Sequence, residues 1–189
     1  MKNIVVFASG SGTNFQAIID SVKSGKINAN ISGLIASKSD IGATGRAEKA
    51  GVPVAVIPPG SESFKSDLED QLREWQPDLI VLAGYLAKIP KNILNKYSGK
   101  IINIHPSLLP KYGGSGFYGS RVHQAVIRSG DIETGCTVHI VTEEYDQGPV
   151  LAQKKVPVKP GDTAADLANR VLKEEHKLLT EVISQIINN

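Results

Sequence analysis

The stretch from Asn3 to Ile19 reads NIVVFASGSGTNFQAII: an apolar run of strand length, a turn with two glycines, then a helix-like segment. This order, strand to glycine turn to helix, opens the units from which helix-covered parallel sheets are built. The first strand is expected at Asn3–Ala8 and the first helix at Asn14–Ser24. A glycine-rich turn that opens a helix presents unpaired backbone N–H groups and the positive end of the helix dipole, which together bind phosphate. Gly12, Thr13 and Asn14 are therefore candidate contacts for a single phosphate monoester. A dinucleotide fits less well, because the third glycine of GxGxxG is replaced by Phe15 and Ser37 and Lys38 stand where an acid is needed after the second strand. A triphosphate loop is absent, since no GK[ST] follows.

Working outward, further apolar runs of strand length are ANISGLIAS (Ala29–Ser37), VPVAVI (Val52–Ile57), DLIVLAG (Asp78–Gly84) and KIINIH (Lys100–His105). Helix-like segments fill the gaps at Gly42–Ala50, Glu62–Trp75 and Pro90–Lys96. After His105 the pattern changes to a glycine-rich loop, a helix near Ser120–Arg128, strands at Cys136–Thr142 and Val150–Val158, and a long final helix. The expected fold class is α/β: a Rossmann-like, mainly parallel sheet flanked by helices, with an antiparallel strand addition near the C-terminus. All 189 residues are expected to form one domain.

Lysine and arginine number 21 against 19 aspartates and glutamates, a net charge of +2, which argues against a nucleic-acid footprint or a membrane-binding surface. Small-molecule partners are expected, with the chain a monomer or homodimer. Cys136 is the only cysteine, which excludes an internal disulfide framework and fits a reducing compartment. The first apolar run has six residues, too short for a signal-peptide core, so a cytoplasmic location is expected.

Two polar features interrupt the apolar pattern. Ile101–Pro110 reads IINIHPSLLP, in which Asn103 and His105 are two apart and share one face of a strand. Pro106 removes the next ladder donor, so the pair lies where strand gives way to loop. Asp146, in EEYDQGP (Glu143–Pro149), stands in the loop between the two late strands, from which it can reach the end of the His105 strand. A carboxylate there favours the imidazolium form of His105.

The second interruption is in the final helix, which Asp162 or Thr163 caps, Asp166 completing a capping-box pattern with Thr163. At about 100° per residue, Leu167, Val171, Leu172, Leu178, Val182, Ile183 and Ile186 form one apolar stripe, and Glu175 falls near its middle. A charge there must be partnered, neutralised or turned towards a ligand. Because the rest of the helix obeys its pattern, a ligand is the favoured reading. His139 shares a strand face with Thr137 and is placed to brace a site, while His123 and His176 are read as helix-surface or boundary residues. The four histidines and one cysteine show no metal-ligand spacing, so no metal is expected.

NIHPSLLPKY (Asn103–Tyr112), followed by DQGP (Asp146–Pro149), resembles the signature of the folate-dependent formyltransferases. ASGSGTNFQAII (Ala8–Ile19) resembles the phosphate loop of the branch that formylates glycinamide ribonucleotide, and the resemblance covers nearly the whole chain. It implies the formyltransferase fold and transfer of a formyl group from 10-formyltetrahydrofolate to the amine of glycinamide ribonucleotide, in purine biosynthesis. By position, Asn103, His105 and Asp146 match the family's catalytic trio, and Gly12, Thr13 and Asn14 its phosphate clamp. Glu175 matches a carboxylate that holds the ribose hydroxyls. Leu86, Ala87, Lys88 and Ile89, through their backbone groups, and Asn103 match the folate pocket, and Val141 and Tyr145 the loop that grips the pterin ring; Tyr85 and Tyr145 either pack on that ring or fill the core edge. The chain departs from many relatives at Ala87 and Ser61, where a cation meets the folate tail, the nearest here being Lys65. Leu172 replaces a polar phosphate contact, and the loop Lys111–His123 is a few residues longer than in some relatives.

Overall fold

Strand β1 (Lys2–Ala8) sends alternate side chains into two apolar layers, Ile4 and Val6 to one and Val5 and Phe7 to the other. That two-sided burial is what a continuous apolar run predicts for a central parallel strand. The computed structural model describes residues 1–188. Its sheet joins β1 to β2 (Ala29–Ala36), β3 (Val54–Val56), β4 (Leu79–Leu82), β5 (Ile101–His105), β6 (Glu133–Ile140) and β7 (Val150–Pro157) in the order β3-β2-β1-β4-β5-β6-β7. Strands β1 to β5 are parallel, and β6 and β7 add antiparallel, as expected.

Helices α1 (Thr13–Lys23), α2 (Gly42–Ala50), α5 (Ser120–Ser129) and α6 (Ala164–Asn188) contribute to the first apolar layer, and α3 (Phe64–Trp75) and α4 (Lys91–Lys96) to the second. The α6 cap forms as read: Thr163 N donates to Asp166 Oδ2 at 3.0 Å and Asp166 N to Thr163 Oγ1 at 3.2 Å. Leu167, Val171, Leu178, Val182 and Ile183 are buried, but Leu179 and Ile187 join them while Leu172 and Ile186 are only half-buried. Gly33 lies within β2 where the Trp75 ring covers the strand; a Cβ there would meet the ring at 2.3 Å. No helix among the described residues is long and apolar enough to cross a membrane.

Strand boundaries differ from expectation most at β3, β4 and β6; β4 keeps only Leu79–Leu82 of Asp78–Gly84. β3 shrinks to three residues, with Val54 and Val56 partly exposed, because it is an edge strand and Pro53 has no N–H for the ladder. β6 begins at Glu133 and ends at Ile140, not at Cys136 and Thr142. Its polar start is held by pairing to β7, whose Lys154 carbonyl would lie 2.0 Å from a Cβ on Gly135.

The chain order reverses between β1 and β4, so the loops leaving these strands part from each other at the carboxyl edge of the sheet. Ligands of open α/β sheets bind at such a switch point.

Candidate active site

A cleft of about 540 Å³ opens beside this edge, within the range typical of small-molecule sites. Its lining includes Asn14 of α1, Glu175 of α6, Asn103 and His105 of β5, and Asp146 of the β6–β7 loop. The three polar groups therefore converge, as the spacing suggested. Asp146 Oδ2 lies 3.5 Å from His105 Nδ1, and Asp146 Oδ1 lies 3.5 Å from His139 Nε2. The turn holding Asp146 is tightly determined. Asp146 has φ 56°, Gly114 N donates to its Oδ2 at 2.9 Å, and a Cβ on Gly148 would sit 1.7 Å from the Ile140 carbonyl oxygen. The glycine of DQGP is thus demanded by packing.

His139 takes a larger part than sequence reading gave it. Antiparallel pairing sets it directly opposite Asn103. Its Nδ1 lies 3.0 Å from the Ile140 carbonyl, which only accepts, so Nδ1 carries the hydrogen. Nε2 therefore faces two partners: the neutral ring accepts there from Asn103 Nδ2 at 3.1 Å, and a protonated ring donates to Asp146 Oδ1.

His105 is buried, and its Nε2 lies 2.8 Å from the Tyr112 carbonyl oxygen. Asp146 favours the imidazolium form of His105, as expected, but burial outweighs it in the ligand-free protein. Burial lowers its pKa below the ordinary value, and the opposing effects of the Asp146 charge and the Tyr112 carbonyl are too small to offset it. For Asp146 the balance runs the other way. Burial raises its pKa, but His139, the His105 charge and the Gly114 N–H together hold it below the usual carboxylate range.

Glu175 is 8% exposed and accepts from Asn14 Nδ2 at 2.7 Å. It makes no ion pair among the described residues, and burial pushes its pKa up. Gly12 and Thr13 lie at the start of α1 but do not line the cleft. Gly12 has φ 72° and backs onto Ala43, whose Cα would lie 2.6 Å from an added Cβ. Leu86, Lys88, Ile89, Val141 and Tyr145 line the cleft, Lys88 Nζ lying 5.7 Å from the Tyr145 ring centre. Ala87 does not; it packs against the second apolar layer. The Leu86 amide already donates to Ser9 Oγ at 3.2 Å. Tyr85 is mainly a core residue, set edge-on to Phe7, with burial pushing its pKa up to about 12.

His123 is no surface residue. It is 4% exposed, lines the cleft, and its Nδ1 has no partner. Burial, with a smaller contribution from the His105 charge, lowers its pKa to about 4. The unfolded chain takes up this proton near 6.5, so the stability His123 contributes is complete above that pH and is lost as pH falls towards 4. His123→Gln is therefore expected to show a smaller drop in Tm between pH 7 and pH 5 than the parent. Parallel losses in thermal melts would contradict this assignment. His176 is half-buried, and burial also lowers its pKa. Among the described residues no group of three or more His, Cys, Asp or Glu is arranged to hold a metal ion.

A family model described as formyl transferase matches residues 2–183. The chain belongs to the formyl transferase family. Among curated formyl transferase relatives, it is 44% identical over 189 residues to the chloroplastic phosphoribosylglycinamide formyltransferase of Vigna unguiculata, covering 98% of this chain. It spans only 61% of that relative's length. It is 39% identical over 186 residues to the phosphoribosylglycinamide formyltransferase of Escherichia coli (strain K12), covering 96% of this chain and 85% of the relative. The crystal structure of glycinamide ribonucleotide transformylase 1 from Geobacillus kaustophilus superposes with a TM-score of 0.91 at 41% identity, covering 99% of each chain. The α/β fold and the antiparallel addition are those of the formyl transferase family.

Proposed function

We propose that this protein transfers a formyl group from 10-formyltetrahydrofolate to the amine of glycinamide ribonucleotide, a step of purine biosynthesis, in the cytoplasm. The observation that carries this reading is one cleft holding Asn103, His105 and Asp146 together with Asn14 and Glu175. The matched relatives bear names of that activity.

The chemistry follows from the groups present. When the amine attacks the formyl carbon, a new C–N bond forms and negative charge develops on the formyl oxygen. Asn103 Nδ2 has a second hydrogen beyond the one facing His139, and that hydrogen can donate to the oxygen. His105 Nε2 is committed to the Tyr112 carbonyl, so Nδ1 is the nitrogen that donates. Burial weakens the imidazolium in the empty cleft; Nδ1 takes its proton from water before the attack, keeps it throughout, and the oxyanion developing beside it stabilises that charged form. The bond from carbon to the folate nitrogen then breaks. The proton lost by the amine ends on that nitrogen, with Asp146 holding the relaying water.

Gly12, Thr13 and Asn14 hold the phosphate at the start of α1, and Glu175 the ribose hydroxyls, oriented by Asn14. Glu175→Ala is expected to raise the ribonucleotide KM about tenfold or more while changing kcat little. An unchanged KM would return Glu175 to a structural role. Leu86, Lys88, Ile89, Val141 and Tyr145 form the folate side of the cleft. The deciding assay offers the purified protein formyl folate with each amine acceptor and follows folate absorbance. Transfer to an amino sugar and none to the ribonucleotide would overturn the reading.

A further inference from the structure

Tyr112 stands between the catalytic strand and the far end of α5. Its carbonyl oxygen faces His105 Nε2 at 2.8 Å. At the other end of the same residue, the hydroxyl lies 2.6 Å from Ser129 Oγ and donates to Asp131 Oδ2 at 2.9 Å. Asp131 is further held by Lys111 Nζ at 3.1 Å. Tyr112 has φ 55°, a conformation in which side chains other than glycine are uncommon. Such a residue persists only where its surroundings over-determine it, and the clamp on the hydroxyl is one such determinant.

We propose that Tyr112 is a positioning residue: its hydroxyl, clamped by Ser129 and Asp131, holds the left-handed turn that aims its carbonyl at His105 Nε2 and keeps His105 Nδ1 towards Asp146. The proposal rests on the reading of His105 as the donor to the formyl oxygen. A carbonyl only accepts, so His105 Nε2 carries a hydrogen in both protonation states and Nδ1 is the nitrogen that titrates. Without the carbonyl, the neutral ring is free to place its hydrogen on Nδ1 instead, donating to Asp146 and losing the fixed orientation. The charged or titratable groups facing His105 are Asp146 from the β6–β7 loop, His139 from β6 and His123 from α5.

Tyr112→Phe removes the hydroxyl alone and keeps the ring that meets Phe117 edge-on. Nitrogen-15 NMR of the ligand-free protein, above the His105 titration, should read the Nε2–H tautomer in the parent and a mixture of tautomers in Tyr112→Phe. With substrates, kcat should fall about tenfold, the scale of one lost positioning hydrogen bond, while the ribonucleotide KM stays within about twofold. The limb of the pH profile belonging to His105 should move to lower pH, because the carbonyl raises that pKa. Asp131→Asn should move the same readouts in the same direction by less. An unaltered tautomer with a superimposable pH profile overturns the proposal, and so does a lower kcat with an unaltered tautomer. The NMR arm needs no turnover, so absence of formyl transfer in the parent would sink the functional reading and leave the clamp still decidable.

Discussion

His105→Ala is expected to lower kcat by about 10² to 10³, the loss seen when one donor to a developing oxyanion is removed. The ribonucleotide KM should change by no more than about twofold, because the proposed phosphate and ribose contacts lie at α1 and α6. The split between kcat and KM is the informative part. A general loosening of the cleft would raise KM as well, whereas loss of a donor used only in the transition state leaves it alone. Steady-state kinetics with both substrates checks the result, and full turnover in the variant would remove His105 from the chemistry.

The second large effect is expected at Asp146. In Asp146→Asn the side-chain oxygen can still accept from Gly114 N, so the turn should survive and Tm should barely move. The negative charge is what disappears. That charge raises the His105 pKa against the pull of burial, so the His105 limb of the pH profile should shift further towards acid. Loss of the proposed proton relay should lower kcat by about 10² to 10⁴, the range for a positioned acid or base. A variant with parental kcat across the pH range would assign Asp146 to holding the turn alone.

Much of this arrangement was legible because local and global signals agree. The β1 run, its glycine turn and the amphipathic α1 each favour the same parallel unit, and Glu175 was conspicuous because the rest of α6 obeys its stripe. The same arithmetic would have found His123. At about 100° per residue it falls between Val122 and Val126 on one side and Ile127 on the other, inside the buried face of α5. The part played by His139 was not legible, because it depends on the antiparallel register that sets it opposite Asn103. Nor was the protonation state of His105, a contest between burial and a nearby charge that spacing along a chain cannot weigh. At Ala87 a family position identifies the segment, while the side chain itself packs against the second apolar layer.

The hydrogen bond from Asn14 to Glu175 closes a span of 161 residues. As the chain leaves the ribosome, Asn14 emerges long before α6 and must wait for it before its amide finds that carboxylate. Assembly of this corner therefore has high contact order, and its formation belongs among the late events of folding.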